Sequence, residues 1–274
     1  MKFYITLLMS VCFFGANSAS AQSSSKPFLV VQSMTYKGGV DVSSFGVPRN
    51  PLIYESMLLP SKTSDQMIEG EALKNLLDGL GSGPLPTVID IERWHLYTDN
   101  EDERSKSREK YLNVVRNIRA ARPGIKLGYY GVVPTRTYWP LLDAGRKSER
   151  QKWENLNSRA AQDFVPHVDA IFPSLYTLYG NQEGWRIYAE ETLRVAKRFG
   201  KPVYCYLWPQ FNSGNPLLGG KYLPADYWML ELETCYKHSD GIVIWNHEPQ
   251  KNWDPDAEWW QQTLKFLESK SIKN

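Results

Sequence analysis

Seven short apolar runs recur along the chain with amphipathic helical stretches between them, and no other feature constrains the fold as strongly. The runs are Phe28–Gln32, Leu52–Glu55, Thr87–Glu92, Ile125–Tyr130, Ala170–Tyr176, Pro202–Trp208 and Gly241–Asn246. Gly241-Ile-Val-Ile-Trp245 has no polar residue on either face, as a strand covered on both sides requires. The intervening stripes keep the helical period: Leu73, Leu76, Leu77 and Leu80; Tyr111, Val114, Val115 and Ile118; Ala189, Leu193 and Ala196; Trp260, Leu264 and Leu267. Stop signals follow at Pro123-Gly124, at Gly200 before Pro202, and at Asp240-Gly241. Such alternation predicts an α/β fold built on parallel strands, with about six helices.

An open doubly wound sheet would carry a glycine-rich phosphate loop after its first strand, and the chain has none there. The glycines from Gly79 to Gly83 precede a strand and read as a helix-to-strand turn. Polar and aromatic residues gather instead at the C-terminal ends of many strands, as in a closed barrel. The prediction is a distorted (β/α) TIM-like barrel of about seven parallel strands. It forms a single domain over residues 28–274, without internal repeats or a dividing linker.

Residues 1–21 read as a cleavable signal peptide: Lys2, an apolar run from Phe3 to Phe14, then Ala19-Ser20-Ala21 before Gln22. That run is short for a bilayer and no later segment approaches spanning length, so no membrane span is expected. Leu8 to Cys12 has the outline of a lipoprotein box, but Val11 is too large for the residue before such a cysteine. Residues 22–27 form a polar tether, and the mature chain is expected to be secreted or periplasmic. Lys and Arg number 32 against 30 Asp and Glu, a net charge of +2 with no basic run, so no nucleic-acid partner is expected. Cys205 and Cys235 are too few for a disulfide framework and are expected as buried free thiols. His95, His167, His238 and His247 lack ligand spacing, so neither metal nor cofactor is expected. No G-x-S-x-G or cysteine nucleophile context appears.

The strongest chemical signal is Val88-Ile89-Asp90-Ile91-Glu92-Arg93-Trp94, at the end of the third run. Side chains two apart on a strand share a face, so Asp90 and Glu92 point together toward the barrel mouth while Ile89 and Ile91 pack outward. Two close carboxylates raise each other's proton affinity, and one then serves as a general acid. A salt-bridged strand end, with Arg93 nearby, accounts for the same residues. The other strand ends bear on the choice: Tyr129-Tyr130, Ser174-Leu175-Tyr176, Tyr206-Leu207-Trp208 and Trp245-Asn246. Rings with hydrogen-bonding edges facing a carboxylate pair suit a pyranose. Asp90 and Glu92 are therefore the candidate catalytic residues. Tyr130, Tyr176, Tyr206, Trp208, Trp245 and Asn246 are the candidate substrate contacts, and a polysaccharide or oligosaccharide is the expected partner.

In its ordered set of motifs the chain resembles the hyaluronidase family of glycoside hydrolases. Asp90-Ile-Glu92-Arg-Trp94 is similar to that family's D-x-E-x-W, and Ile53-Tyr54-Glu55 through Pro60 to its second-strand segment. Leu127-Gly-Tyr-Tyr-Gly131, Phe172-Pro-Ser-Leu-Tyr176, Pro202 to Phe211, Leu223-Pro224 with Leu230-Glu231, and Gly241-Ile-Val-Ile-Trp245 follow in family order. The resemblance implies substrate-assisted hydrolysis. Glu92 would donate the proton, and Asp90 would hold the substrate's acetamido group. Tyr176 and Trp245 would wall its pocket. Phe211 is a further candidate substrate contact on this resemblance, standing where the family carries a tyrosine on the acetamido oxygen, with Tyr206 or Tyr222 as substitutes. His95-Leu96 replaces the family's Arg-Pro. The expected function is cleavage of a hyaluronan- or chondroitin-like polymer. A lysozyme-type muramidase and a non-catalytic carbohydrate-binding protein on the same scaffold are the alternatives.

Overall fold

The structure, a computed structural model, describes residues 27–272. The signal peptide and nearly all of the tether lie outside the described residues. All seven expected strands form: β1 (Leu29–Lys37), β2 (Leu52–Tyr54), β3 (Thr87–Asp90), β4 (Leu127–Tyr130), β5 (Ala170–Phe172), β6 (Tyr204–Leu207) and β7 (Gly241–Asn252). Two one-turn helices, α1 (Glu55–Leu58) and α4 (Trp139–Leu142), join six longer ones. These are α2 (Gly70–Gly79), α3 (Glu101–Ala121), α5 (Lys147–Phe164), α6 (Gln182–Lys197), α7 (Ala225–His238) and α8 (Glu258–Ser269). Start signals are local: the Asn100 side chain accepts from the amides of Asp102 and Glu103, both at 3.1 Å, and opens α3.

The strands pair in parallel as β1-β7-β6 and as β2-β3-β4-β5. Two thin seams close these sheets into one ring. At the first, Gln32 bridges Arg49, with Asn50 N–H donating to Gln32 O (2.8 Å) and Gln32 N–H to Pro48 O (3.0 Å). At the second, Ile171 bridges Val203 and Ser174 bridges Tyr206, with Tyr206 N–H donating to Pro173 O (3.0 Å). Pro48, Pro51, Pro173 and Pro202 lie at these seams and carry no N–H, which is why pairing there is reduced to isolated bridges. The result is the distorted seven-stranded barrel.

Strand parity divides the core in two. Val30, Ile53, Ile89, Tyr129, Ile171, Cys205, Ile242 and Ile244 pack outward against the helices. Val31, Val88, Tyr130, Phe172, Tyr206 and Val243 fill the barrel. Gly128 makes this filling possible, since a Cβ there would lie 2.4 Å from the Phe172 ring. Cys205 and Cys235 are both buried and unbridged.

Several strand boundaries differ from the sequence reading. β1 and β7 run on past Gln32 and Asn246, because each supplies the other's partners as far as Tyr36 opposite Glu248. β3 ends at Asp90, so Glu92 sits just beyond the strand, and β5 stops before Pro173. α5 was not marked by an expected stripe, yet Trp153, Leu156, Ala160, Ala161 and Phe164 give it a buried face.

Candidate active site

The inward parity of each strand continues past its last ladder bond, and the site is made of those continuations. Val88 points into the barrel and Asp90 follows it, opposite Tyr54 of β2. Ile89 and Ile91 take the outer face, as expected. Asp90 is mostly buried, and that burial, followed by the charges of Glu92 and then Glu55, pushes its carboxyl up to about 7. Near neutrality Asp90 therefore keeps a proton that an exposed aspartate would have lost.

Arg93 does not neutralise this pair. Its guanidinium bonds Glu55 at 2.6 Å, lies 3.8 Å from Asp65, and donates to the carbonyls of Ser61 (3.2 Å) and Ser64 (3.1 Å). The salt-bridged strand end is therefore built by Glu55, leaving Asp90 and Glu92 to each other. The segment carrying Glu92 is clamped on both sides. Tyr111 of α3 shares its O–H between the carbonyls of Ile91 (3.1 Å) and Trp94 (2.9 Å), and Trp94 Nε1 donates to Asp65 (2.7 Å). The backbone that carries the exposed Glu92 carboxylate is thereby fixed in place.

A cavity of about 320 Å³ opens beside Glu92, lined also by His95, Tyr130, Arg136 and Ser174. This is within the range of small-ligand sites. The Tyr130 hydroxyl shares a hydrogen bond with Ser174 Oγ at 2.8 Å, and burial raises its pKa; the charges of Glu92, Arg136 and Asp90 all reach it. Arg136 was not singled out from the sequence. It is exposed and alone among the described arginines in having no ion pair or hydrogen bond within the chain, so it brings an uncommitted positive charge to the cleft.

The aromatic residues expected to contact substrate come together, with one exception. Tyr176 stacks on Trp245 (5.5 Å between centroids, 24°), and Trp208 closes edge-on against Trp245 (5.1 Å) and Tyr176 (5.4 Å). Tyr130 contacts Tyr176 (5.6 Å) and Tyr206 (4.9 Å). Tyr206 is 1% exposed and forms the floor. Trp245 Nε1 donates to the Tyr54 hydroxyl at 3.1 Å, tying the wall to the strand beside Asp90. Asn246 is fully buried; it accepts from Trp208 Nε1 (3.1 Å) and donates to the Tyr36 hydroxyl (2.6 Å). It braces the aromatic wall, and of the expected contacts Tyr130 alone lines the cavity beside Glu92. Phe211 is the exception. It packs against Tyr227 (6.0 Å) in the outer core, away from the interior cluster.

Two further carboxylates lie near this mouth, and both have partners. Glu55 is held by Arg93. Glu248 accepts from Tyr222 and pairs with Lys251; burial opposes ionisation there, but bonds from Lys251, Tyr222 and Gln210 keep its pKa below the usual carboxylate value. His247 is exposed and stacks on the Trp245 ring at 6.3 Å. Among the described residues no His, Cys, Asp or Glu cluster forms a metal site, and no helix is long and apolar enough to cross a membrane. The arrangement can hold a flat, hydroxyl-rich ring and present two coupled carboxyls to one side of it.

No protein-family model and no curated protein matches the chain. Among solved structures it is similar to bee venom hyaluronidase, at 14% identity and a TM-score of 0.54, over 90% of this chain and 100% of that one. It is also similar to bee venom hyaluronidase in complex with a hyaluronic acid tetramer, at 13% identity and a TM-score of 0.51, over 89% of this chain and 97% of that one. At such identities the likeness establishes the fold. The chain has the (β/α)-barrel fold seen in glycoside hydrolases.

Proposed function

We propose that this protein is an exported glycoside hydrolase that cleaves a polysaccharide containing N-acetylated hexosamine, of hyaluronan or chondroitin type. The observation that carries the reading is the Asp90–Glu92 pair at one strand end, facing a wall made by Tyr130, Tyr176, Trp208 and Trp245. Glu92 donates its proton to the glycosidic oxygen as the C–O bond breaks. The acetamido carbonyl oxygen of the same sugar attacks the anomeric carbon and closes an oxazolinium ring. Water then opens that ring, giving its proton back to Glu92.

Asp90 accepts a hydrogen bond from the acetamido N–H. A donor to a carboxyl favours its charged form, so substrate binding draws Asp90 toward ionisation. The ionised Asp90 then stabilises the positive charge that develops on the acetamido nitrogen. Arg136 favours an acidic polymer, because an unpaired guanidinium lining the cavity has charge and donors free for a carboxylate or sulfate. The signal peptide would deliver this activity outside the cytoplasm, where such polymers occur.

A substrate panel tests the reading. Reducing ends released from hyaluronan, chondroitin, chitin oligomers and peptidoglycan should be greatest for the first two, and NMR of early product should show retained anomeric configuration. A cyclic thiazoline that mimics the oxazolinium should inhibit. Inverted product would rule out the acetamido nucleophile, since inversion needs a water-activating base on the opposite face.

The pH profile is a second check. kcat/KM reports the free enzyme, and the active form keeps one proton on the pair. With Asp90 pushed up to about 7, kcat/KM should fall about tenfold per pH unit above that value. Glu55→Gln removes a negative neighbour, lowers Asp90's proton affinity and should shift the basic limb to lower pH. An unmoved limb would show that the limb reports another group.

A further inference from the structure

We propose that the loops following β4 and β5 carry a second sugar-binding platform, formed by Trp139 and Tyr179, which grips the polymer away from the scissile bond. This rests on the reading of the cleft as a glycan site. Trp139 is 51% exposed, and it is not a lone surface ring but part of an aromatic cluster. Its ring meets Tyr179 at 5.2 Å and Tyr138 at 5.2 Å, and Tyr138 meets Tyr179 at 4.8 Å.

The cluster is held rigid from below. Tyr138 wedges against Tyr188 of α6 at 5.7 Å, in a slot that exists because residue 184 is glycine: a Cβ there would lie 2.3 Å from the Tyr138 hydroxyl oxygen. The Tyr227 hydroxyl donates to Tyr179 O at 3.0 Å and fixes the other loop. Rigid, amphipathic rings lose little entropy on binding, which is what a stacking surface needs.

Position identifies the occupant. Both loops leave the C-terminal ends of their strands, the end at which Tyr130 and Tyr176 face the candidate carboxylates. Trp139 follows Arg136 by three residues, a span of at most about 11 Å of chain, and Arg136 lines the cavity beside Glu92. The Trp139–Tyr179 surface is thus within reach of a ligand that extends out of that cavity past Arg136. A polysaccharide chain has the length and the repeated apolar ring faces to do so. Binding on such a remote surface favours cleavage within a chain over trimming of its end.

The test compares long hyaluronan with hyaluronan tetrasaccharide, which is too short to fill both sites. For the unaltered protein kcat/KM should be at least about tenfold higher on the long chain. Trp139→Ala and Tyr179→Ala should each erode that ratio, together bringing it to within about twofold, while Trp139→Phe keeps part of it. A ratio unchanged by the double substitution, or an equal loss on both substrates, overturns the platform. The Glu92→Gln protein separates this from failure of the glycan reading. If its migration is retarded by hyaluronan in affinity electrophoresis and Trp139→Ala abolishes the retardation, the platform stands even without turnover. No retardation and no cleavage would overturn both.

Discussion

Glu92→Gln is expected to remove nearly all turnover, by roughly 10²–10⁴-fold, while the fold and sugar binding persist. The amide has the shape of the acid but no proton to give the leaving oxygen, so its cost falls on the bond-breaking step. The backbone around residue 92 is held by Tyr111 through the carbonyls of Ile91 and Trp94, and neither bond involves the Glu92 side chain. The loss should therefore appear in kcat, with KM little changed and with an unaltered melting temperature. Substrates with a very good leaving group, which need less protonation, should recover much of the rate. A variant keeping a third of its activity would place the acid elsewhere.

Asp90→Asn is expected to lose activity to a similar degree and to gain stability. The activity falls because an amide offers no negative charge to the positive charge developing on the acetamido nitrogen. The gain follows from the proton linkage. Asp90 is raised from 3.8 to about 7 by folding, so the native chain holds its proton where the unfolded chain has released it. Its contribution to stability therefore declines as pH rises from about 4 to about 7 and stays low above that. Asn carries no such penalty. With allowance for residual solvent screening, the variant should be more stable by on the order of 2 kcal/mol at and above neutral pH, with the difference vanishing near pH 4. Thermal unfolding across that range measures it. A difference independent of pH would mean that Asp90 is not buried at the cost of its charge.

Much of the site was legible in strand parity. Ile89 and Ile91 against Val88 and Asp90, or Ile242 and Ile244 against Val243 and Trp245, assign a face to each residue from spacing alone. That parity carries past the last hydrogen bond, so it also located Tyr176 and Trp208. Phe211, placed by the family resemblance rather than by parity, lies beyond β6 in a loop whose path is set by the Gln210–Tyr222 bridge and the fit against Tyr227. Tyr111 was legible as a core residue of α3, but nothing in a helical stripe tells which hydroxyl reaches a distant carbonyl.

The sequence by itself determined the alternation, the seven strands, the inward and outward sets and the two carboxylates on one side, because each follows from local periods of 2 and 3.6 residues. The charge at the site follows from contacts between distant segments. Arg93 is adjacent to Glu92 in the chain yet pairs with Glu55 across 38 residues, while Arg136, which belongs to none of the motifs, lines the cavity unpaired. Burial rather than residue type puts the retained proton on Asp90. Electrostatic pairing and desolvation depend on distances between segments remote in sequence, and closing the ring through the Gln32 and Tyr206 seams is what sets those distances.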